Sequence, residues 1–446
     1  MSDLHMSDLR MSDLRHAGPG GLNLLTALEA AQQLASGSTT SVALVEACLA
    51  RIDARDRDIH AWTYIDRENA LRQARARDSE QRRSPLHGIP VGIKDIFDTH
   101  DMPTAYGSPI HAGHQPAKDT VAVALMRRAG LVILGKCTTT EFASPVPAGV
   151  RNPHDLTRTP GVSSSGSAAA VADYMVPLAI GSQTGGSTIL PAAYCGIVGY
   201  KPTLTGIDRG NVRHLRPTLD TMGLLARSIP DIAALHAVLC GGAGAAPATG
   251  IRQLRIGVCR TNAWPDAQPE TVEALESAAR SLANAGATLS ETPLPQVFDG
   301  LEETFGVIST VEASRALMVE ARDHRPKLNF WIRNSLDAAA RHDPSVFDRA
   351  QQHAVACQKA LAVMFQRCDV LIAPSTSGEA PADLVSVSSS AFNRVWTLMH
   401  VPCLTIPAYS GPNGMPVGVQ VVGPVGSDVA TIAAAQCIAD VVMKSA

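Results

Sequence analysis

The chain has 446 residues, 45% hydrophobic and 18% charged, so it buries a large core and is too apolar for disorder. Aromatic residues are only 4%, which leaves that core to Ala, Val, Leu and Ile. Thirty-eight basic against 41 acidic residues give a net charge of −3, which argues against a nucleic-acid binder, and no apolar run approaches the ~18 residues of a membrane helix.

Residues 1–15 repeat one unit three times, MSDLH, MSDLR, MSDLR. They read as part of a disordered leader over residues 1–19, followed by a single domain over 20–446. Leu25 to Ser36 reads as a helix closed by Gly37, and Thr39 and Thr40 offer the N-cap of a second, with Val42, Val45, Leu49 and Ile52 at helical spacing. Gly88 to Asp95 reads as a short buried strand carrying Lys94. Thr120 to Ala129 reads as a helix and Leu131 to Leu134 as a strand. Residues 160–203 are rich in Gly, Ser and Ala. Strand, helix and strand follow at Leu254–Val258, Pro269–Asn284 and Ala287–Leu289, then a largely helical stretch over 301–367. Asp369–Ala373 and Val417–Val422 are further strands, and Val429–Val442 is the last helix. This alternation predicts an α/β fold with a buried, partly parallel sheet and no internal linker.

No secretory signal is visible, and the nine cysteines are scattered without CxxC spacing. Both point to a cytoplasmic protein with reduced thiols and neither a disulfide framework nor a zinc site. Gly130 to Cys137 nearly matches a phosphate-binding loop, but its middle residues read as a strand and Cys137 stands where the magnesium-binding Ser or Thr belongs. His111 and His114 share i,i+3 spacing and read as solvated or locally bonded.

Two serine-bearing turns stand out, Thr159 to Ala170 and Gly181 to Pro191. Apolar segments flank them, so a flexible linker is excluded. Glycines at 185 and 186 free the backbone to aim successive N–H groups at one point, a nest suited to a developing oxyanion, and Ser187 follows at once. A serine nucleophile needs a base. The chain has 14 histidines but no G-x-S-x-G elbow, which disfavours an α/β-hydrolase. The other candidate is Lys94, whose burial after Ile89–Ile93 lowers its pKa from about 10.4 towards neutrality. The pattern alone leaves open a plain Lys94–Asp95 surface pair.

Gly88 to Asp95, the two serine turns and Pro191 to Thr203 together resemble the amidase signature family. The likeness extends to Asn152–Asp155 and Asn413–Gln420 and covers roughly residues 22–440. It implies an α/β/α sandwich around a large mixed sheet and a Ser-Ser-Lys triad. The nucleophile falls on Ser187. The bridging serine, held by a cis peptide in the family, falls 24 positions earlier on Ser163, and the base falls on Lys94. The oxyanion donors fall on the backbone of Thr184, Gly185 and Gly186. The sequence departs from the family at Val162 and Ser165 (usually Gly), Gln183 (Asp), His400 (Gly) and Ile189 (often Arg).

The resemblance implies a hydrolase of amide C–N bonds, with carbamates and esters as further substrates and no metal or organic cofactor. Ile189 and Leu190 are expected to line the substrate pocket, an apolar wall that favours neutral aryl or alkyl amides over acidic ones. Phe305, Phe330, Trp331 and Trp396 are either core or an apolar entrance. The partner is a small amide or carbamate, not a nucleic acid or a membrane, and both monomer and homodimer stay open. Two other readings are the amidase subunit of a tRNA-dependent amidotransferase and a non-catalytic binding protein on the same fold.

Overall fold

The computed structural model describes residues 19–242 and 250–444, so the MSDL repeat and nearly all of the expected leader lie outside the described residues. The strands are β1 Trp62–Ile65, β2 Pro90–Lys94, β3 Val132–Cys137, β4 Leu178–Gln183, β5 Val198–Lys201, β6 Thr221–Ala226, β7 Arg255–Val258, β8 Thr288–Glu291, β9 Val370–Pro374, β10 Cys403–Ser410 and β11 Pro416–Val422. All eleven join one sheet in the order β1-β3-β2-β4-β6-β5-β10-β11-β9-β7-β8. The β3-β2-β4 and β9-β7-β8 segments are parallel and the remaining pairs antiparallel.

The α-helices are α1 Ala27–Ser36, α2 Ser41–Ile59, α3 Arg67–Ser79, α4 Val121–Arg128, α5 Ser165–Ala172, α6 Ile189–Tyr194, α7 Ile229–Cys240, α8 Pro269–Asn284, α9 Leu301–Ala316, α10 Met318–Asp323, α11 Phe330–Ala339, α12 Pro344–Met364, α13 Ala391–Leu398 and α14 Asp428–Val442. Their limits follow from capping. Thr26 and Glu29 form a capping box on α1, and Gly37 closes that helix in the left-handed region. The Thr40 side chain accepts from the Ala43 N–H at 3.1 Å and starts α2. The helical stretch from 301 breaks into four helices, restarting where Asn329 caps α11 and where Asp343 with Pro344 opens α12.

Side chains alternate between the faces of the sheet, and that alternation builds the layers. Val91, Ile93, Leu178, Ile180, Val370 and Ile372 share one core cluster with α1, α4, α7, α8 and α14. Ala179 packs on the other face with α2, α3 and α5. Leu371 and Ala373 pack there with α9, α12 and α13. The result is helices on both faces of a mixed sheet. β2 and β4 are parallel neighbours with Ile93 opposite Ile180, so the carboxyl ends that carry Lys94 and Gln183 lie at the same edge of the sheet, where sheets of this kind expose ligand crevices.

Candidate active site

Lys94, Lys136 and Lys201 are all fully buried, and each is satisfied differently. Lys136 pairs with Asp95 at 3.1 Å. Lys201 donates to the main-chain carbonyls of Pro202 and Val401. Lys94 meets hydroxyls alone, those of Ser163 at 2.7 Å, Ser182 at 2.8 Å and Ser164 at 3.0 Å. The alternative Lys94–Asp95 pair therefore does not form. Burial with no carboxylate in contact drives the Lys94 pKa down to about 7, opposed only by the more distant negative charge of Asp220.

The three hydroxyls are not equivalent. Ser164 Oγ donates to the Ser182 carbonyl at 3.0 Å and accepts from the Ser182 N–H at 3.1 Å. Its proton is committed, so towards Lys94 it is an acceptor. An uncharged amine has two N–H donors and one lone pair. With Ser164 taking one donor and Ser182 the other, the lone pair faces the Ser163 hydroxyl. A neutral Lys94 so held is oriented to take a proton from Ser163.

The two serine turns meet through glycines. Gly161 has φ of 109°, and a side chain there would strike Leu190 Cδ2 at 2.7 Å, so both conformation and space demand glycine. The Thr139 hydroxyl fixes the following turn by donating to the Ser163 carbonyl at 3.0 Å. No described peptide bond is cis, including that of Ser163, where the resemblance implies one. Ser187 follows the second turn, 8% exposed, and its hydroxyl makes no hydrogen bond to Ser163 or Lys94 in this structure. The N–H groups of Thr184, Gly185 and Gly186 meet no acceptor among the described residues, which leaves donors for an oxyanion.

The reason for the two glycines differs from the expected one. Neither Gly185 nor Gly186 has a positive φ. They are small because the start of α13 packs onto them: a Cβ on Gly186 would lie 2.8 Å from Ser390 Cβ and 3.1 Å from Asn393 Cβ.

Three of the departures from the family pattern find physical accounts. Gln183 Oε1 accepts the N–H groups of Thr188 and Ile189, both at 3.1 Å, and so caps α6 directly after Ser187 without bringing a charge. His400 holds the positive φ of 59° that a glycine would adopt freely, anchored through Nε2 to the Thr218 carbonyl at 2.8 Å. Val162 keeps an ordinary φ and packs with Leu190 and Tyr194.

The expected pocket wall is not where the sequence placed it. Ile189 and Leu190 are both 0% exposed. Ile189 belongs to the core with Phe305 and Trp396, and Leu190 packs under the first serine turn. Adjacency to Ser187 in sequence does not bring them to the cleft, because α6 turns them into the core, and the ground for excluding acidic substrates goes with them. Trp396 is core, Phe305 is buried beside Gly185, Trp331 packs among other apolar side chains and Phe330 is exposed, so these four frame no common entrance.

An open cleft lies beside Ser182 and Thr184. Tyr106, Phe142 and Met222 supply apolar surface, and Arg209, Arg213 and Asp220 supply charge. Tyr106 and Phe142 hold positive φ values of 54° and 46°, a strain of the kind that collects at functional sites. Asp220 ties the cleft to the second turn. It accepts from the Thr184 hydroxyl at 2.5 Å and from the N–H groups of Leu215 and Arg216 at 2.9 Å. Sequence reasoning missed Ser164, Ser182, Asp220 and the arginines, which carry no periodic signal.

Among the described residues, the one side-chain group with metal-ligand spacing is His100, Asp101 and Asp119. Arg127 already pairs with both of its carboxylates. The phosphate-loop look-alike is strand β3, with Lys136 committed to Asp95. His111 bonds Glu320 at 3.0 Å. No described helix is long and apolar enough to cross a membrane.

Fold and site define an α/β protein with a cleft at its strand ends, beside a buried lysine held by serine hydroxyls. The Amidase family matches residues 43–432, so the chain belongs to the amidase family, hydrolases of C–N bonds. A glutamyl-tRNA(Gln) amidotransferase subunit from Chloroflexus aggregans is 34% identical over 90% of this chain and 93% of its own. A crystal structure of an amidase superposes with a TM-score of 0.85 at 30% identity, covering 93% of this chain and 99% of that one. A peptide amidase in complex with the competitive inhibitor chymostatin superposes at 0.80 with 27% identity, over 93% and 97%.

Proposed function

We propose that the protein hydrolyses linear amides of aryl or alkyl character through an acyl-enzyme on Ser187, with Ser163 as proton bridge and Lys94 as base. Carbamates and esters, which present a similar carbonyl, belong to the same substrate range. One observation carries the reading: a fully buried lysine whose partners are three serine hydroxyls. Neutral Lys94 takes a proton from Ser163 as Ser163 takes one from Ser187, and Ser187 attacks the carbonyl. The free N–H groups of Thr184, Gly185 and Gly186 hold the oxyanion. The proton returns through Ser163 to the departing amine, and water releases the acyl group by the reverse relay. No step calls for a metal or an organic cofactor.

The test is a fluorophosphonate that labels serine nucleophiles, applied together with a hydrolysis screen over anilides, aliphatic amides, carbamates and esters. Labelling should be lost in Ser187→Ala and turnover abolished. Ser163→Ala and Lys94→Ala should each cost several orders of magnitude, without additivity, because the three act as one relay. Undiminished labelling of Ser187→Ala would overturn the assignment.

A second reading draws support from the amidotransferase relative, which is named for its work on glutamyl-tRNA. In that reading the chain releases ammonia from glutamine for a partner. Glutaminase activity and co-purification with further proteins of such a complex would favour it over a free-standing amidase.

A further inference from the structure

We infer that Arg209 is a carboxylate-recognition residue and that the preferred substrates carry an acidic group remote from the scissile amide. This rests on the amidase reading above and deepens it.

Arg209 stands in the loop between β5 and β6 and lines the cleft together with Ser182 and Thr184. One guanidinium nitrogen is used structurally, donating to the main-chain carbonyls of Pro217 at 3.0 Å and Asp220 at 2.7 Å. The His214 ring bonds the Arg209 carbonyl at 3.2 Å and fixes the backbone beneath it. The remaining donors, Nε and Nη2, have no partner among the described residues, and Arg209 makes no ion pair.

The other charges of the cleft are spoken for. Arg213 pairs with Glu320 at 2.5 Å and lies over the rings of Tyr106 and Phe142, 5.4 and 5.3 Å from their centroids. The Asp220 carboxylate already accepts three hydrogen bonds. The cleft therefore offers one guanidinium edge with two adjacent donor nitrogens still open, the geometry that matches a carboxylate in bidentate fashion. Burial penalises the bare charge, which an incoming anion would relieve. Asp220 and Glu312 lie near enough to offset part of that charge without bonding it, so a modest preference is expected.

The experiment compares kcat/KM of the full chain for three amides: hexananilide, its analogue with a carboxylate ending the acyl chain, and hexanoyl-4-aminobenzoate with the carboxylate on the amine side. At least one acid should exceed hexananilide by about tenfold, a factor that shrinks with added salt. The acid-to-neutral ratio should collapse towards one in Arg209→Gln and survive in part in Arg209→Lys, which keeps the charge and loses the fork. Should Arg209→Gln fail to fold, the lysine variant decides the attribution. A wild type that hydrolyses hexananilide at least as well as both acids overturns the inference and leaves the amidase reading standing. If none of the three is hydrolysed, calorimetry with hexanoate decides. Binding that weakens about threefold or more in Arg209→Lys upholds the anion site while the proposed chemistry fails, and a smaller change or absence of binding overturns both.

Discussion

Lys94 owes its low pKa to burial, opposed by the distant negative charge of Asp220, and its Nζ donates to three serine hydroxyls. As base it must be uncharged, so kcat/KM should rise with pH through about 7 and then level off. A rate that falls steadily between pH 6 and 9 in stable enzyme would rule the lysine base out. Ser182 is a positioning residue in this scheme, since its hydroxyl takes the second N–H of the neutral amine. Ser182→Ala removes one acceptor for the ammonium and lets the lone pair turn away from Ser163. The expected result is an inflection displaced to lower pH and a kcat reduced about tenfold. A purely structural role would lower the melting temperature and leave the inflection where it was.

Helix α6 begins one residue after Thr188, and its first N–H groups rely on the side chain of Gln183. Gln183→Leu keeps the volume and deletes the acceptor, leaving two buried donors unpaired at a cost of about 2 kcal/mol. Because Ser187 and the donor turn lie between Gln183 and α6, kcat should fall more than KM rises, alongside a lower melting temperature. Unchanged values of all three would show that the cap does not hold the turn. This capping role lay outside the reach of sequence reading, as did the packing of α13 onto Gly185 and Gly186. Lys94 was legible because a charge inside an apolar strand is costly and asks for a reason. Ser164, Ser182 and Arg209 were not, because polar residues in turns look alike until the fold brings them to one point. Ile189 and Leu190 misled because neighbours in sequence need not be neighbours in space, and one helical turn carried both into the core. Among whole elements, α8 appears over the predicted span, Pro269–Asn284, since its period and its proline start are strong signals. Strands β5, β6 and β10 gave little signal: β5 and β6 contain glycine and β10 contains Pro407, so their short apolar runs lack a clear alternation.

The sheet as a whole bears the burden of keeping Lys94 dry. In the folded protein this lysine releases its proton near pH 7, while in the unfolded chain it keeps an ordinary value of 10.5. Below about pH 7 both states hold the proton and the full penalty of burying a charge acts against folding. Between those two values the unfolded chain alone binds the proton, so stability rises with pH across that window, and above it the penalty vanishes. Lys94→Met fills similar space without a charge, and such replacements of buried ions are often neutral or stabilising. It also strands the Ser163 and Ser182 hydroxyls, a loss that does not depend on pH. The variant should therefore be inactive and, relative to wild type, most stable at pH 6, with the difference shrinking as pH rises from 7 towards 10. Urea unfolding of both proteins at pH 6, 8 and 9.5 reads this directly. A stability difference that stays flat across those three values would mean that Lys94 is not buried as an unpaired base, and the relay built on it would fall with that result.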